Sequence, residues 1–208
     1  MKTLTKYLNE KLVIFPSQVD EKLVINKSYK DGQYTCTPKT FDELRKIIED
    51  RYKKLGHGTK QNPIDFNDVD VSNIESFYCY DYNLGLFEDL EFEYIDISDW
   101  DVSNVENMKY MFQGCTRLRS VGDLLNWDVS NAKGMYKMFY CCEKLKSVGD
   151  LSGWNVSKVE DISFMFYKCK QLKSVGDLSN WNVSKVENVN CMFGGCTEKI
   201  IPYWYYKL

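Results

Sequence analysis

Four tryptophans, Trp100, Trp127, Trp154 and Trp181, stand 27 residues apart, and so do Phe112, Phe139, Phe166 and Phe193. Cys115, Cys142, Cys169 and Cys196 hold the same interval. Three residue types keeping one period over four copies restrict the chain to a stacked array, because one such unit is too small to bury its own apolar residues. A fifth, degenerate copy lies upstream. Ile64-Asp-Phe-Asn-Asp-Val-Asp-Val-Ser-Asn-Ile74 repeats the pattern of Ile95-Asp-Ile-Ser-Asp-Trp-Asp-Val-Ser-Asn-Val105, with Val69 in the tryptophan position. The offset there is 31, which places four extra residues within 80–94.

The copies align with one another, and each column has a physical reading. Three residues past the tryptophan position stands Ser72, Ser103, Ser130, Ser157 or Ser184. Three further on comes Glu75, Glu106, Glu160 or Glu187, with Lys133 as the exception. Ser-x-x-Glu is the pattern of a helix capping box. Apolar residues follow at helical spacing, as in Val105, Met108, Met111, Phe112 and Cys115, so the pattern predicts a short helix in each unit. Segments such as Leu145-Lys-Ser-Val-Gly-Asp-Leu151 are too short for a second helix and read as strands. The expected fold is therefore an α/β repeat solenoid of leucine-rich-repeat type. It would have a parallel sheet, one short helix per coil, and a non-repeating α+β cap at the N-terminus.

Cys-x-x-Leu-x-x-Val, then Leu-Ser-x-Trp-Asn-Val-Ser-x-Val, then Met-Phe-x-x-Cys resembles the BspA-like leucine-rich repeats of bacterial surface proteins. Such repeats also occur in mycoplasmal and phage-encoded proteins, and the likeness covers about residues 64–196. It implies a solenoid used for protein recognition and supplies no catalytic residues. Three units here are one residue longer than that family's unit, with Gly122, Gly149 or Gly176 as the extra residue, which suggests a bulge in the strand.

Residues 1–63 do not repeat. Thr40-Phe-Asp-Glu43 is a further capping box, and Phe41, Leu44, Ile48, Tyr52 and Leu55 line one helical face as far as Gly56. Lys22-Leu-Val-Ile-Asn reads as a strand and Asp31-Gly32 as its turn. Residues 197–208 read as a C-terminal cap whose aromatics cover the last unit. The expected organisation is thus a cap over 1–63, five repeats over 64–196 and a second cap over 197–208.

Charge bears on the partner. Residues 1–63 carry 13 Lys and Arg against 8 Asp and Glu, whereas the remainder carries 14 against 22. An acidic repeat region argues against nucleic acid, whose phosphates need clustered cations. The first residues lack the continuous apolar stretch of a signal peptide, and no run is long enough to cross a bilayer. A cytoplasmic monomer without membrane contact is the expectation.

Candidate chemistry is sparse. The four cysteines in register could form a reduced buried column, inter-unit disulfides or a metal site. A linear ladder cannot place four sulfurs tetrahedrally, and free cysteine is a small buried apolar residue, so the reduced column is expected. His57, the single histidine, lies between two glycines and reads as a solvated loop residue. No cofactor, metal or catalytic residue is expected, and the chain reads as non-enzymatic.

Two groups of residues are candidate binding sites. Tyr110, Tyr136, Tyr140, Phe164 and Tyr167 fall at variable positions of the expected helices, where accessible aromatics serve as binding anchors. The competing reading is that they widen the packing between repeats. Asp96, Asp123, Asp150 and Asp177, with Asp65 upstream, precede the tryptophan position by four residues. They read as a structural ladder neutralised by Arg119, Lys146 and Lys173, as an acidic stripe for a basic partner, or as a cation site. The functional expectation is a protein-binding module, with a phage-encoded intracellular inhibitor of a host protein as one form. The alternative is a surface adhesin or virion module that binds host protein or glycan.

Overall fold

Thr40 opens the only α-helix among the described residues. Its hydroxyl accepts from the Glu43 N–H at 3.2 Å, and the Glu43 carboxylate accepts from the Lys39 N–H at 2.7 Å. The helix, α1, runs Phe41–Leu55 and ends at Gly56, which takes φ +75° and donates to the Tyr52 carbonyl. Leu44 and Ile48 on its apolar face are fully buried. Arg45 from the same helix donates to the carbonyls of Gly85 and Leu86, while Arg51 donates to that of Asp65. The computed structural model describes residues 34–207, which belong to one compact unit, Gln33–Leu208. The strand expected at 22–26 and the turn at Asp31-Gly32 lie outside the described residues.

The expected α/β solenoid is overturned. No repeated unit contains an α-helix, and the described strands are two residues long and form two small sheets. Strand β1 (Ile64–Asp65) pairs in parallel with β4 (Ile95–Asp96), and β2 (Tyr78–Cys79) pairs antiparallel with β3 (Leu84–Gly85). Elsewhere the units meet through single parallel bridges, such as Asn107 with Gly134, Gly134 with Asp161, and Asp161 with Asn188.

Local backbone geometry explains why the helices do not form. Tyr110, Lys137, Phe164 and Cys191 take φ of +59°, +55°, +56° and +52°, in place of the roughly −60° of a helix. Gly114, Cys141, Lys168 and Gly195 form a second left-handed column four residues on. The N–H groups of Met108, Tyr110, Phe112 and Gly114 then donate to Gly134, Tyr136, Met138 and Tyr140 of the next unit, at 2.8–2.9 Å. A helix would have spent those donors on its own chain four residues back. Left-handed tyrosine, lysine or phenylalanine costs about 1 kcal/mol each, and the added cross-unit hydrogen bonds offset it.

The Ser-x-x-Glu boxes also fail to cap anything. The Ser103 and Ser130 N–H groups are held by Asp101 and Asp128, two residues earlier. Glu106, Lys133, Glu160 and Glu187 donate their N–H to the carbonyl of the preceding unit. The expected strands are broken at Gly122, Gly149 and Gly176, with φ of +89°, +84° and +82°. A Cβ at Gly149 or Gly176 would overlap the carboxylate of Asp123 or Asp150, so these glycines admit the neighbouring unit as well as the turn.

Inside, columns replace layers. Trp100, Trp127, Trp154 and Trp181 stack at 6.3–6.5 Å with ring planes within 5° of parallel. Each indole N–H donates to a carbonyl of the preceding unit. Phe87, Phe112, Phe139, Phe166 and Phe193 form a second stack at 5.0–5.7 Å. At the far end the Trp204 indole donates to the Leu178 carbonyl, and Tyr205 stands edge-on to Phe193. No helix among the described residues is long and apolar enough to cross a membrane.

The cysteine column lies beside the phenylalanines. The Cys115, Cys142, Cys169 and Cys196 thiols donate to Phe87, Phe112, Phe139 and Phe166 carbonyls at 2.9–3.1 Å. Burial pushes all four thiols up, Cys196 to about 11. The thiolate is the reactive form, so the native protein should present little of it from this column. Alkylation followed by mass spectrometry is expected to modify exposed Cys191 first, with Cys142 and Cys169 reacting only on unfolding. Labelling of Cys142 at the rate of Cys191 in the folded protein would contradict the packing described.

Candidate binding surface

The left-handed turns set where side chains point. The residues that flank the buried pairs Met111-Phe112, Met138-Phe139 and Met165-Phe166 are half-buried. Tyr110, Tyr136, Tyr140, Phe164 and Tyr167 are therefore brought together on one face, each half-buried, although a face of turns and not of helices. Tyr140 and Tyr167 stack at 5.2 Å. Tyr110 meets Tyr136 edge-on at 5.1 Å, and Phe164 links Tyr136 with Tyr140 at 6.1 and 6.3 Å. The row runs on to Tyr78, stacked on Tyr110 at 5.2 Å, and to Tyr80, 71% exposed.

Lys137 sits at the centre of the row. Its ammonium lies 4.9 Å from the Tyr140 ring centre and 5.0 Å from that of Tyr136. Tyr110 and Phe164 follow at 5.7 and 5.9 Å. Four ring faces around one cation hold the aromatic side chains in a fixed arrangement without a carboxylate. Lys168 lies similarly over Tyr167 at 5.3 Å. Burial, and then the nearby hydroxyls of Tyr136 and Tyr78, push Tyr110 up to about 12.

The charge of this face differs from that of the region around it. Lys137 and Lys168 stand over the rings, with Lys109 beside Gly134, and no ion pair joins the three to a carboxylate among the described residues. The flanking charges are matched across units: Lys133 with Glu106 at 2.7 Å and Lys170 with Glu143 at 2.9 Å. Lys133, the one basic residue in a column of glutamates, thereby relieves the repulsion of that column. The result is an aromatic face with three unneutralised cations on an acidic repeat region.

The aspartate column is placed differently. The Asp96, Asp123, Asp150 and Asp177 carboxylates each accept the N–H two residues on, at 2.9–3.0 Å, as Asp65 does from Asn67. Each side chain thus closes the turn that leads into the tryptophan. The hydrogen bonds from Ser152 and Ser179 hold Asp150 and Asp177 below the usual carboxylate range. Arg119 does not reach Asp123 but pairs with Glu93 at 3.2 Å, and no ion pair joins Lys146 or Lys173 to the column. His57 lies half-exposed in the turn after α1, with its Nδ1 2.6 Å from the Glu91 carbonyl and its ring edge-on to Tyr52. No metal-holding cluster of His, Cys, Asp and Glu occurs among the described residues.

Sequence reasoning missed Tyr78, Tyr80 and Lys137. Tyr78 and Tyr80 belong to the degenerate first unit, where the extra residues fold back as the β2–β3 hairpin. Lys137 occupies the same repeat column as Tyr110 and Phe164, and that shared column was the available signal.

The repeat pattern is matched by a family model described as Mycoplasma protein of unknown function, DUF285, over residues 82–204. The match spans more than half of the 208 residues. The chain belongs to the DUF285 family. No curated protein and no solved structure matches it. Within this DUF285 region lie most of the aromatic row and four of the five units; Tyr78 and Tyr80 lie just before it.

Proposed function

We propose that this DUF285 protein is a non-enzymatic, cytoplasmic protein-binding module whose partner sits on the aromatic face. The observation that carries the reading is the continuous row from Tyr78 to Tyr167 with Lys137 at its centre. Large rings already locked by their neighbours lose little side-chain freedom on binding, which makes them effective anchors. Lys109, Lys137 and Lys168 favour an acidic partner surface and speed its approach. The rings of Tyr140 and Tyr167 face each other, so they offer edges and hydroxyls outward. That geometry suits protein backbone and side-chain groups better than a sugar ring, which stacks on an open aromatic face. The resemblance to BspA-like repeats, a class used for protein recognition, supports the same reading.

The only histidine is tied to Glu91, and the buried thiols are tied to phenylalanine carbonyls. The aspartate column serves the turns, and its role as an acidic stripe is the weaker reading.

Partner capture followed by binding kinetics distinguishes the two surfaces. Changing Tyr140 and Tyr167 together to alanine is expected to weaken binding by about 2 kcal/mol or more, through faster dissociation. An Asp123/Asp150/Asp177 to asparagine triple variant keeps an acceptor for each turn and should change mainly the association rate and its salt dependence. An unaffected tyrosine pair together with a triple variant that no longer binds would move the site to the aspartates.

A further inference from the structure

A basic column runs beside the aspartate column, and neither is neutralised. Lys146 and Asp150 are both exposed and belong to one stretch of a unit, separated by Ser147, buried Val148 and Gly149. The Gly149 N–H, donated to the Ser147 hydroxyl at 3.1 Å, closes the turn between them. The next unit repeats the pair as Lys173 and Asp177. Lys144 adds a third exposed cation, and Asp123 a third exposed carboxylate. No ion pair involves any of these six among the described residues.

Other charges of the repeats are paired along the stack. Where one column holds both signs, successive units join them, as Lys133 joins Glu106 and Lys170 joins Glu143. Arg117 and Arg119 are taken by Glu93. On the face of Lys146 and Asp150 each column holds one sign, so no pairing along a column is open to it. Like charges recur there once per unit, and units in the phenylalanine stack lie 5.0–5.7 Å apart. Charges so spaced repel. The hydrogen bonds from Ser152 outweigh the repulsion that Asp177 exerts on Asp150, but they do not remove it.

We propose that this face joins a second copy of the chain in a parallel two-fold dimer, the basic column of each copy lying against the aspartate column of the other. Charge complementarity singles out a second copy in two ways. The face carries three cations and three carboxylates with the signs side by side, so a two-fold axis along the stack sets each column against its opposite. The charges of both copies also recur at one spacing, so all levels match together, which a segment of irregular charge does not offer. The axis keeps each residue at its own level. Lys146 therefore faces Asp150 of the second copy, and Lys173 faces its Asp177. None of the aromatic row belongs to this face, so the dimer and the aromatic site stand or fall independently. Pairing holds two aromatic rows together and raises avidity for a partner with repeated segments.

The test is sedimentation velocity on the full chain from about 10 μM to about 1 mM. At about 20 mM salt a weak dimer is expected, and it should dissociate at about 0.5 M salt, where screening is strong even at contact distances. Lys146→Glu should weaken association roughly tenfold or more, because the change occurs twice across the axis. Adding Asp150→Lys to it restores opposite charges at that level and should recover most of the loss. Adding Asp177→Lys to it instead leaves two levels mismatched and should recover nothing. Asp150→Asn keeps the acceptor that closes the turn to Ser152 and should weaken the dimer roughly threefold through charge alone. A monomer at every concentration overturns the proposal, including one whose face is covered by other residues of the same chain. So does a dimer indifferent to Lys146→Glu, or equal recovery by both second changes.

Discussion

Replacing Trp154 with alanine is expected to lower the unfolding free energy by about 3–5 kcal/mol, the range of large-to-small changes in well-packed cores. The indole is 3% exposed and lies between Trp127 at 6.3 Å and Trp181 at 6.4 Å. Both neighbours are held by their own carbonyls, so neither can slide to fill the space. The change also removes the indole donor to the Leu124 carbonyl, which keeps only the Trp127 N–H at 3.2 Å. Trp154→Phe keeps a ring in the column but removes the indole N–H and part of the ring volume, so a smaller loss of about 1–3 kcal/mol is expected. Denaturant melts measure both. A loss below about 1 kcal/mol for Trp154→Ala would mean that the column is not continuous packing.

Breaking the Arg51–Asp68 pair is expected to cost a similar amount, about 3–5 kcal/mol, because either change strands a buried partner. Arg51 donates to both Asp68 oxygens, at 2.6 and 2.8 Å, and Thr35 donates to the same carboxylate. Asp68 is 8% exposed, and the guanidinium lies over the Phe66 ring at 5.2 Å. The pair ties α1 to the first unit. Burial alone would raise the Asp68 carboxyl, but the hydrogen bonds from Arg51 and Thr35 outweigh it and hold the group below its ordinary value. A depressed carboxyl contributes stability that is fully present above the unfolded value of about 3.9. That contribution disappears as the pH falls through the lower folded value. Asp68→Asn should therefore be destabilised at neutral pH and lose less of its remaining stability than the parent chain below about pH 4. Parallel acid titrations of the two proteins would show the idea to be wrong.

How much of the candidate site could be read beforehand differs between its parts. The five aromatics were identifiable because the 27-residue period supplies an internal alignment, and residues that vary within a constrained column stand out. The gathering of four of them around Lys137 was not identifiable. It depends on left-handed φ at Tyr110, Lys137 and Phe164, residue types with no local preference for that conformation. The aspartates were equally visible as a column, yet their role was hidden. A carboxylate that accepts the N–H two residues on and one that faces a partner are written with the same letter.

The amino-acid sequence by itself determined the period, the columns of Trp, Phe and Cys that become the core, and α1 with both of its ends. All of these follow from local chemistry or from residue type repeated at a fixed interval. Only the tertiary structure decided what each unit's backbone does. Met-x-x-Met-Phe spacing satisfies a helix and a pair of turns alike, since both bury the same apolar residues. The choice between them rests on whether an N–H finds its acceptor four residues back or 26 residues ahead, as Met108 does at Gly134. No local pattern carries that information, because the acceptor exists only once the next unit is in place.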